Sequence, residues 1–262
     1  MTPYTQTRFF GHGPRVGLAI HCSLAHAGAW HGVGAALADD MTLLAYDLPS
    51  HGRSGDWDGD ADLHDVATDM GRTLVTEQVD LIGHSFGATV ALRLAVEMPE
   101  RVRSLTLIEP VYFAVAFADE PVRRAAYDAA TAPFEAALKA GDRMEAARAF
   151  NRAWGDGTRW DDIPARRQQY MADRIHFVTA SAPFLRDDCA GLLVEGLLGR
   201  ADMPTLLLEG GNSDDLARAI NSGLEKRLPN ARSVVIAGAG HMAPLTHPLQ
   251  VADAIRDLIA AA

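Results

Sequence analysis

Cysteine is scarce. Cys22 and Cys189 are the only two in 262 residues, and neither falls in a Cys-x-x-Cys or Cys/His ligand spacing, which argues against a disulfide framework and a structural zinc. Positive charge is also in deficit: 34 Asp and Glu stand against 24 Lys and Arg, a formal net charge of −10. With no basic patch in the pattern, neither a nucleic-acid backbone nor an anionic bilayer is expected as the main partner. No run of roughly 18 apolar residues exists to span a membrane. Met1 to Phe10 lacks the positive start and apolar stretch of a signal peptide. A cytoplasmic protein acting on a small molecule is the expectation; oligomeric state leaves no trace in the pattern.

What is present is a regular alternation. Hydrophobic residues make up 48% of the chain, enough for one large core with an elaboration. Short apolar runs bounded by Gly, Pro, Asp or Asn fall at Arg15–Ile20, Met41–Tyr46, Val79–Gly83, Val102–Ile108, Pro204–Leu208 and Ala231–Ile236. Segments of helical spacing separate them, at Gly28–Ala38, Leu63–Glu77, Gly87–Glu97, Asp214–Leu228 and Pro248–Ala261. This order predicts an α/β fold: a doubly wound, mostly parallel sheet buried on both faces. Thr5–Phe10 suits an antiparallel edge strand. After Pro110 the alternation stops. From Val111 to about Arg200 the chain is rich in Ala and Arg at helical spacing, over Arg123–Ala130, Phe134–Lys139, Arg143–Trp154 and Arg166–Phe177, with no strand. An all-helical insertion therefore divides the core, giving segments 1–110, 111–200 and 201–262.

The strongest chemical signal is Gly83-His84-Ser85-Phe86-Gly87, which follows an apolar run and opens a helix rich in Ala and Leu. A Gly-x-Ser-x-Gly in that context makes a sharp strand-to-helix turn that thrusts the serine hydroxyl above the sheet. Without that context Ser85 would be no more than a helix cap. A serine hydroxyl needs a base near neutral pH, usually a histidine from elsewhere in the chain. Of ten histidines, His241 is the one placed like a base, since it follows the apolar run Ser233–Ile236 and the loop Ala237-Gly238-Ala239-Gly240. Loops at the carboxyl ends of parallel strands share one edge of the sheet, the edge that presents Ser85. His84 is too close to Ser85 along the turn to face it, and His247 suits the start of the last helix, before Pro248.

These residues resemble the α/β-hydrolase family over nearly the whole chain. The family's oxyanion loop looks like His21-Cys22-Ser23 with Trp30, its tight turn like Asp47-Leu48-Pro49-Ser50-His51-Gly52-Arg53-Ser54, and its late histidine loop like Ala239-Gly240-His241-Met242-Ala243-Pro244. The resemblance implies a nucleophile elbow at Ser85 and a helical cap over it, inserted after the sixth strand. It also implies an oxyanion hole made by the amides of Ser23 and Phe86. Two departures stand out. Cys22 occupies a position where glycine is usual. The Gly-x-x-Asp register that normally supplies the triad acid reads Gly210-Gly211-Asn212-Ser213.

Three carboxylates compete for the vacant role. Asp214 and Asp215 suit the first turn of a helix capped by Ser213, and Glu209 ends a strand. Glu109 stands at the tip of the apolar strand Ser104–Ile108, where burying it is costly without a partner such as an imidazolium. Certain haloalkane dehalogenases of the resembled family place the acid after that strand, so Glu109 is the expected acid, with Asp214, Glu209 or no acid as alternatives. The resulting expectation is a Ser85-His241-Glu109 triad hydrolysing a small or medium apolar ester through an acyl-enzyme, with no cofactor and no metal. Carbon–carbon bond hydrolysis, cofactor-free lyase chemistry and acyl transfer are the catalytic alternatives, and a non-enzymatic ligand receptor is the other class. The cap region offers Tyr112, Phe113, Phe117, Phe134, Trp154, Trp160, Tyr170 and Phe177, although aromatics at helical spacing are core residues more often than pocket lining. Arg123, Arg124, Arg166 and Arg167 could hold a substrate carboxylate, but they sit among comparable numbers of Asp and Glu and read rather as a solvated helix face.

Overall fold

The computed structural model describes residues 2–262. Its seven strands are β1 (Thr7–Phe10), β2 (Arg15–Ile20), β3 (Met41–Tyr46), β4 (Val79–His84), β5 (Val102–Ile108), β6 (Thr205–Gly210) and β7 (Ala231–Ile236). They form one sheet in the order β1-β3-β2-β4-β5-β6-β7, parallel except for β1, which pairs antiparallel with β3. Alternation along each strand decides which layer a side chain joins. Leu18, Ile20, Leu81, Leu105, Leu107 and Leu207 enter one core, while Ala19, Ile82, Ile108, Leu206 and Leu208 enter the other.

The first and last core helices cover the second layer: α1 (His31–Ala36) and, numbered last in the chain, α12 (Pro248–Ile259). The other layer is covered by α2 (Leu63–Leu74), α3 (Phe86–Glu97) and α10 (Asp215–Glu225). Helix α3 is buried along almost its whole length, which its Ala, Val and Leu content permits; each large apolar side chain so buried stabilises by about 1.5–3 kcal/mol. The short helix α11 (Ala243–Thr246) follows the histidine loop.

Between β5 and β6 lie only helices: α4 (Phe113–Asp119), α5 (Val122–Lys139), α6 (Arg143–Trp154), α7 (Ala165–Arg174), α8 (His176–Ala180) and α9 (Ala182–Asp187). Counted in this chain the insertion follows the fifth strand and not the sixth, because a single edge strand, β1, precedes β2. The two helices expected at Arg123–Ala130 and Phe134–Lys139 are one, α5, which runs through Pro133; a proline there removes one backbone hydrogen bond without ending the helix. The helix expected over Arg166–Phe177 breaks at Ile175 into α7 and α8. The insertion has a small core of its own around Phe134, Ala146, Met171 and Ile175. Leu24, from the loop after β2, is part of that cluster, whereas Phe113, Phe177 and Phe184 join the main core. Tyr170 fastens the two parts: its hydroxyl accepts the Gly52 N–H at 3.0 Å and donates to the Ala25 carbonyl at 2.9 Å.

Candidate active site

Ser85 is the hinge residue between β4 and α3, and its backbone is held at φ 55°, ψ −119°, a conformation that costs energy for any residue with a Cβ. The flanking glycines explain how the turn closes. A Cβ on Gly87 would lie 2.2 Å from the Ile20 carbonyl oxygen, and one on Gly83 would lie 2.4 Å from the Ala88 Cα. Only glycine lets the strand, the helix and the neighbouring β2 end approach so closely.

Glu109 stands at the equivalent position one strand over. His84 and Ile108 are register partners, the Ser85 N–H donates to the Ile108 carbonyl at 2.9 Å, and the Glu109 N–H donates to Leu208 at 2.8 Å. Glu109 also has a positive φ, 48°, which turns the side chain off the end of β5. Its carboxylate is 2% exposed and fully engaged. Oε1 accepts the Gly210 N–H and the Ser213 hydroxyl, both at 2.6 Å, and Oε2 accepts from His241 Nδ1 at 3.2 Å. Burial alone would push this carboxyl up, but the bonds from His241, Ser213 and Gly210 outweigh it and hold it below the usual range. An ionised carboxylate only accepts, so the His241 proton sits on Nδ1 and Nε2 is left as the acceptor. The Ser85 hydroxyl donates to that Nε2 at 3.0 Å.

The sheet thus brings Ser85, His241 and Glu109 into one hydrogen-bonded chain, from the carboxyl ends of β4 and β5 and the loop after β7. The other two carboxylates are elsewhere. Asp214 caps α10, accepting from the Leu216 and Ala217 amides at 3.0 and 3.1 Å. The cap expected of Ser213 therefore belongs to Asp214, and Ser213 is freed to bind Glu109. Glu209, also buried, faces Arg218 and Asn221 at 3.3 and 3.4 Å.

Among the described residues neither the Ser23 nor the Phe86 amide finds an acceptor within the protein. The loop of Ser23 is held by two buried histidines, His21 and His51, for which the sequence offered only a surface or supporting role. His21 Nδ1–H donates to the Cys22 carbonyl at 2.7 Å while its Nε2 accepts the Leu48 N–H at 3.0 Å. His51 Nδ1–H donates to Pro49 at 2.9 Å while its Nε2 accepts the Leu24 N–H at 3.1 Å. Burial pushes both down to about 3, so each is a neutral ring with one donor and one acceptor. Cys22 accommodates its side chain in the wall of the loop, and burial pushes its thiol up to about 12. His84, the variable residue of the elbow, donates from Nε2 to the His241 carbonyl at 2.8 Å and is likewise pushed down to about 3 by burial. It steadies the histidine loop, a role its adjacency to Ser85 conceals in the sequence.

Above Ser85 lies a cavity of about 310 Å³ lined by Ser23, Ser85 and mainly apolar residues of the insertion, among them Phe113, Phe134, Phe150 and Leu185. Trp154 joins them, its ring edge-on to His241 at 4.8 Å between centroids. Arg186 is on the wall but is bound to Glu135 at 2.9 Å. Trp160, expected in the pocket, instead packs on the insertion's own core and lines a separate cleft. Tyr112, Phe117 and Phe177 pack in the main core, and Tyr170 walls a neighbouring groove. Arg123 and Arg124 pair with Glu120 and Asp187 on the surface, and Arg166 and Arg167 are exposed as expected, at the rim of that same groove. Among the described residues no three His, Cys, Asp or Glu side chains are grouped to hold a metal ion, and no helix is long and apolar enough to cross a membrane.

The sequence pattern of the alpha/beta hydrolase family matches residues 18–254. The chain belongs to that family. It is 31% identical over 264 residues to the pimeloyl-[acyl-carrier protein] methyl ester esterase of Aeromonas hydrophila, covering 95% of this chain and 97% of that one. It is 28% identical over 267 residues to the lipase LipV of Mycobacterium tuberculosis, with 95% of each chain covered. Among solved structures, a hydrolase from Pseudomonas aeruginosa superposes with a TM-score of 0.72 at 21% identity, over 97% of this chain and 94% of that one. At that identity the likeness speaks for the fold alone.

Proposed function

We propose that this member of the family is a serine ester hydrolase in which Ser85 is the nucleophile, His241 the base and Glu109 the acid. The observation that carries the reading is the relay from Ser85 Oγ to His241 Nε2 and from His241 Nδ1 to Glu109 Oε2, lying under an apolar cavity. Family relatives named as an esterase and a lipase favour ester substrates over carbon–carbon cleavage, lyase chemistry or acyl transfer.

In the first step Ser85 Oγ attacks the ester carbonyl carbon while His241 Nε2 takes the hydroxyl proton; Glu109 stabilises the imidazolium and holds its orientation. The carbonyl oxygen becomes an oxyanion and is met by the free amides of Ser23 and Phe86, each such donor contributing about 3 kcal/mol. Collapse breaks the bond to the alcohol oxygen, which receives the proton from Nε2. Water then attacks the acyl-enzyme with His241 again as base, releasing the acid and restoring Ser85.

The helices α4 to α9 act as a cap that selects the acyl group. A cavity of about 310 Å³ with aromatic and aliphatic walls suits a small or medium apolar chain. The test joins a fluorophosphonate probe with nitrophenyl esters of increasing chain length. One adduct mapping to Ser85, absent in Ser85→Ala and strongly slowed in His241→Ala, together with Ser85-dependent ester turnover, is the expected result. Labelling of another serine in folded protein would overturn the assignment.

A further inference from the structure

A second space reaches the oxyanion loop. A groove of about 810 Å³ runs outward between that loop and the insertion, with Cys22, Ser23 and Asp47 on its core side and Phe150, Trp154 and Tyr170 on its insertion side. Ser23, Phe150 and Trp154 line both this groove and the apolar cavity. The two spaces therefore meet beside the nucleophile, with Phe150 and Trp154 as their shared wall.

The charge of the groove opposes that of the chain. In a protein of net charge −10, its lining carries Arg8, Arg53, Arg166 and Arg167 against two carboxylates, Asp47 and Asp156. Both carboxylates are already engaged. Asp47 is buried and accepts the Ala27 and Arg53 amides at 2.7 and 2.8 Å. Asp156 accepts the Thr158 N–H at 2.9 Å and stands 3.8 Å from Arg167, the one ion pair that any of the four guanidiniums makes among the described residues. His26, also on the wall, accepts the Gly28 N–H through Nδ1. Single unpaired arginines are ordinary on a surface. Four around one concave space focus their field into it, and a guanidinium fork matches the oxygens of a carboxylate or phosphate.

We propose that this groove is a subsite for an anionic group, a carboxylate or a phosphate, carried on the alcohol side of the ester. The proposal rests on the acyl-enzyme reading above and adds the chemical class of the leaving group. The side is argued from proton transfer: the departing oxygen takes its proton from His241 Nε2, and the space that His241 lines shares Trp154, Gly155, Asp156 and Met242 with the groove but only Ala153 and Trp154 with the cavity. The apolar cavity is left for the acyl chain. The anion passes unchanged into the alcohol product.

The experiment compares three butanoate esters built on one phenol frame, bearing a propionate, an ethyl phosphate or a neutral propionamide. At low salt at least one anionic ester should exceed the neutral one in kcat/KM by about tenfold, the worth of one charge-assisted hydrogen bond, chiefly through KM. The carboxylate and phosphate arms tell the two sources apart. The advantage should fall as salt is raised from about 0.01 M to about 1 M, and should vanish in Arg166→Gln/Arg167→Gln while turnover of the neutral ester is kept. Three esters within twofold of one another, or a double variant that slows the neutral ester equally, would refute the subsite. If Ser85 fails to take the fluorophosphonate, the acyl-enzyme reading is what falls. Calorimetric titration of Ser85→Ala with the free phenol carboxylate and phosphate then decides the groove by itself: binding lost in the arginine variant supports it, and no binding overturns it.

Discussion

Replacing Glu109 by Gln keeps the size of the side chain and two of its bonds, and this lets the consequence be worked out atom by atom. Gly210 N–H and the Ser213 hydroxyl both donate to Oε1, so the glutamine must turn its amide oxygen toward them. Its NH₂ then replaces Oε2 and faces His241 Nδ1, which is 3.2 Å away in the native protein. Two donors cannot share that bond. His241 must shift its proton to Nε2, the atom that accepts from Ser85, and in that tautomer it cannot take the serine proton. The stabilising charge beside the imidazolium is lost as well. In a serine protease the comparable change costs about 10⁴-fold in turnover, about 5.5 kcal/mol of barrier, and a loss of about 10³- to 10⁴-fold is expected here. The assay is kcat on one nitrophenyl ester at matched folded concentration, with Asp214→Asn beside it. That second variant only weakens the cap of α10 and should cost about 1 kcal/mol in stability with turnover within a few-fold of wild type. Adding Ser213→Asp to Glu109→Gln places a carboxylate one hydrogen-bond length away and should recover part of the activity. Glu109→Gln within tenfold of wild type, or Asp214→Asn down by orders of magnitude, would refute the assignment.

The structure separates two tryptophans that sequence reading treated alike. Trp154→Ala removes part of the wall between cavity and groove and should change the chain-length profile of ester turnover; Trp160→Ala should leave that profile intact and lower the melting temperature, at a cost below the 3–5 kcal/mol of a fully buried aromatic. An unchanged ester profile in folded Trp154→Ala would count against the pocket wall. Acid should destabilise the protein early. Burial pushes His21, His51 and His84 each down to about 3, below the unfolded value, so the unfolded chain binds more protons between roughly pH 6.5 and pH 3. Stability present above that window is lost as pH falls through it, by about 1.4 kcal/mol per unit per histidine; a urea midpoint unchanged from about pH 7 to about pH 5 would contradict this. Gly87→Ala should yield no folded protein, since its Cβ would meet the Ile20 and His21 carbonyl oxygens at 2.2 and 2.5 Å; a soluble variant with a wild-type circular dichroism spectrum and melting curve would show that the elbow can open.

The strands and the elbow were legible in the sequence because both are local. A buried parallel strand needs a short apolar run between turn residues, and β2, β3, β5 and β7 fall on such runs with matching ends. Gly83-His84-Ser85-Phe86-Gly87 carries its geometry in its own glycines, whose close contacts admit no side chain. Glu109 was partly legible, since a carboxylate ending an apolar strand calls for a partner. What only the folded chain decided is pairing across distance. Ser213 and Asp214 are adjacent and both suit a helix cap, and nothing in their order says that Asp214 takes the cap while Ser213 binds Glu109, 104 residues away. His21 and His51 look like two of ten histidines until the sheet brings each ring against an amide 27 residues off. Trp154 and Trp160 lie in one helical region, but Trp154, at the end of α6, packs edge-on to His241, while Trp160, past the turn, joins the insertion's own core. Arg166 and Arg167 face Arg8 and Arg53 across one groove only where the insertion folds back over the loop after β2, since a concave surface is made by segments brought together and no single segment encodes it.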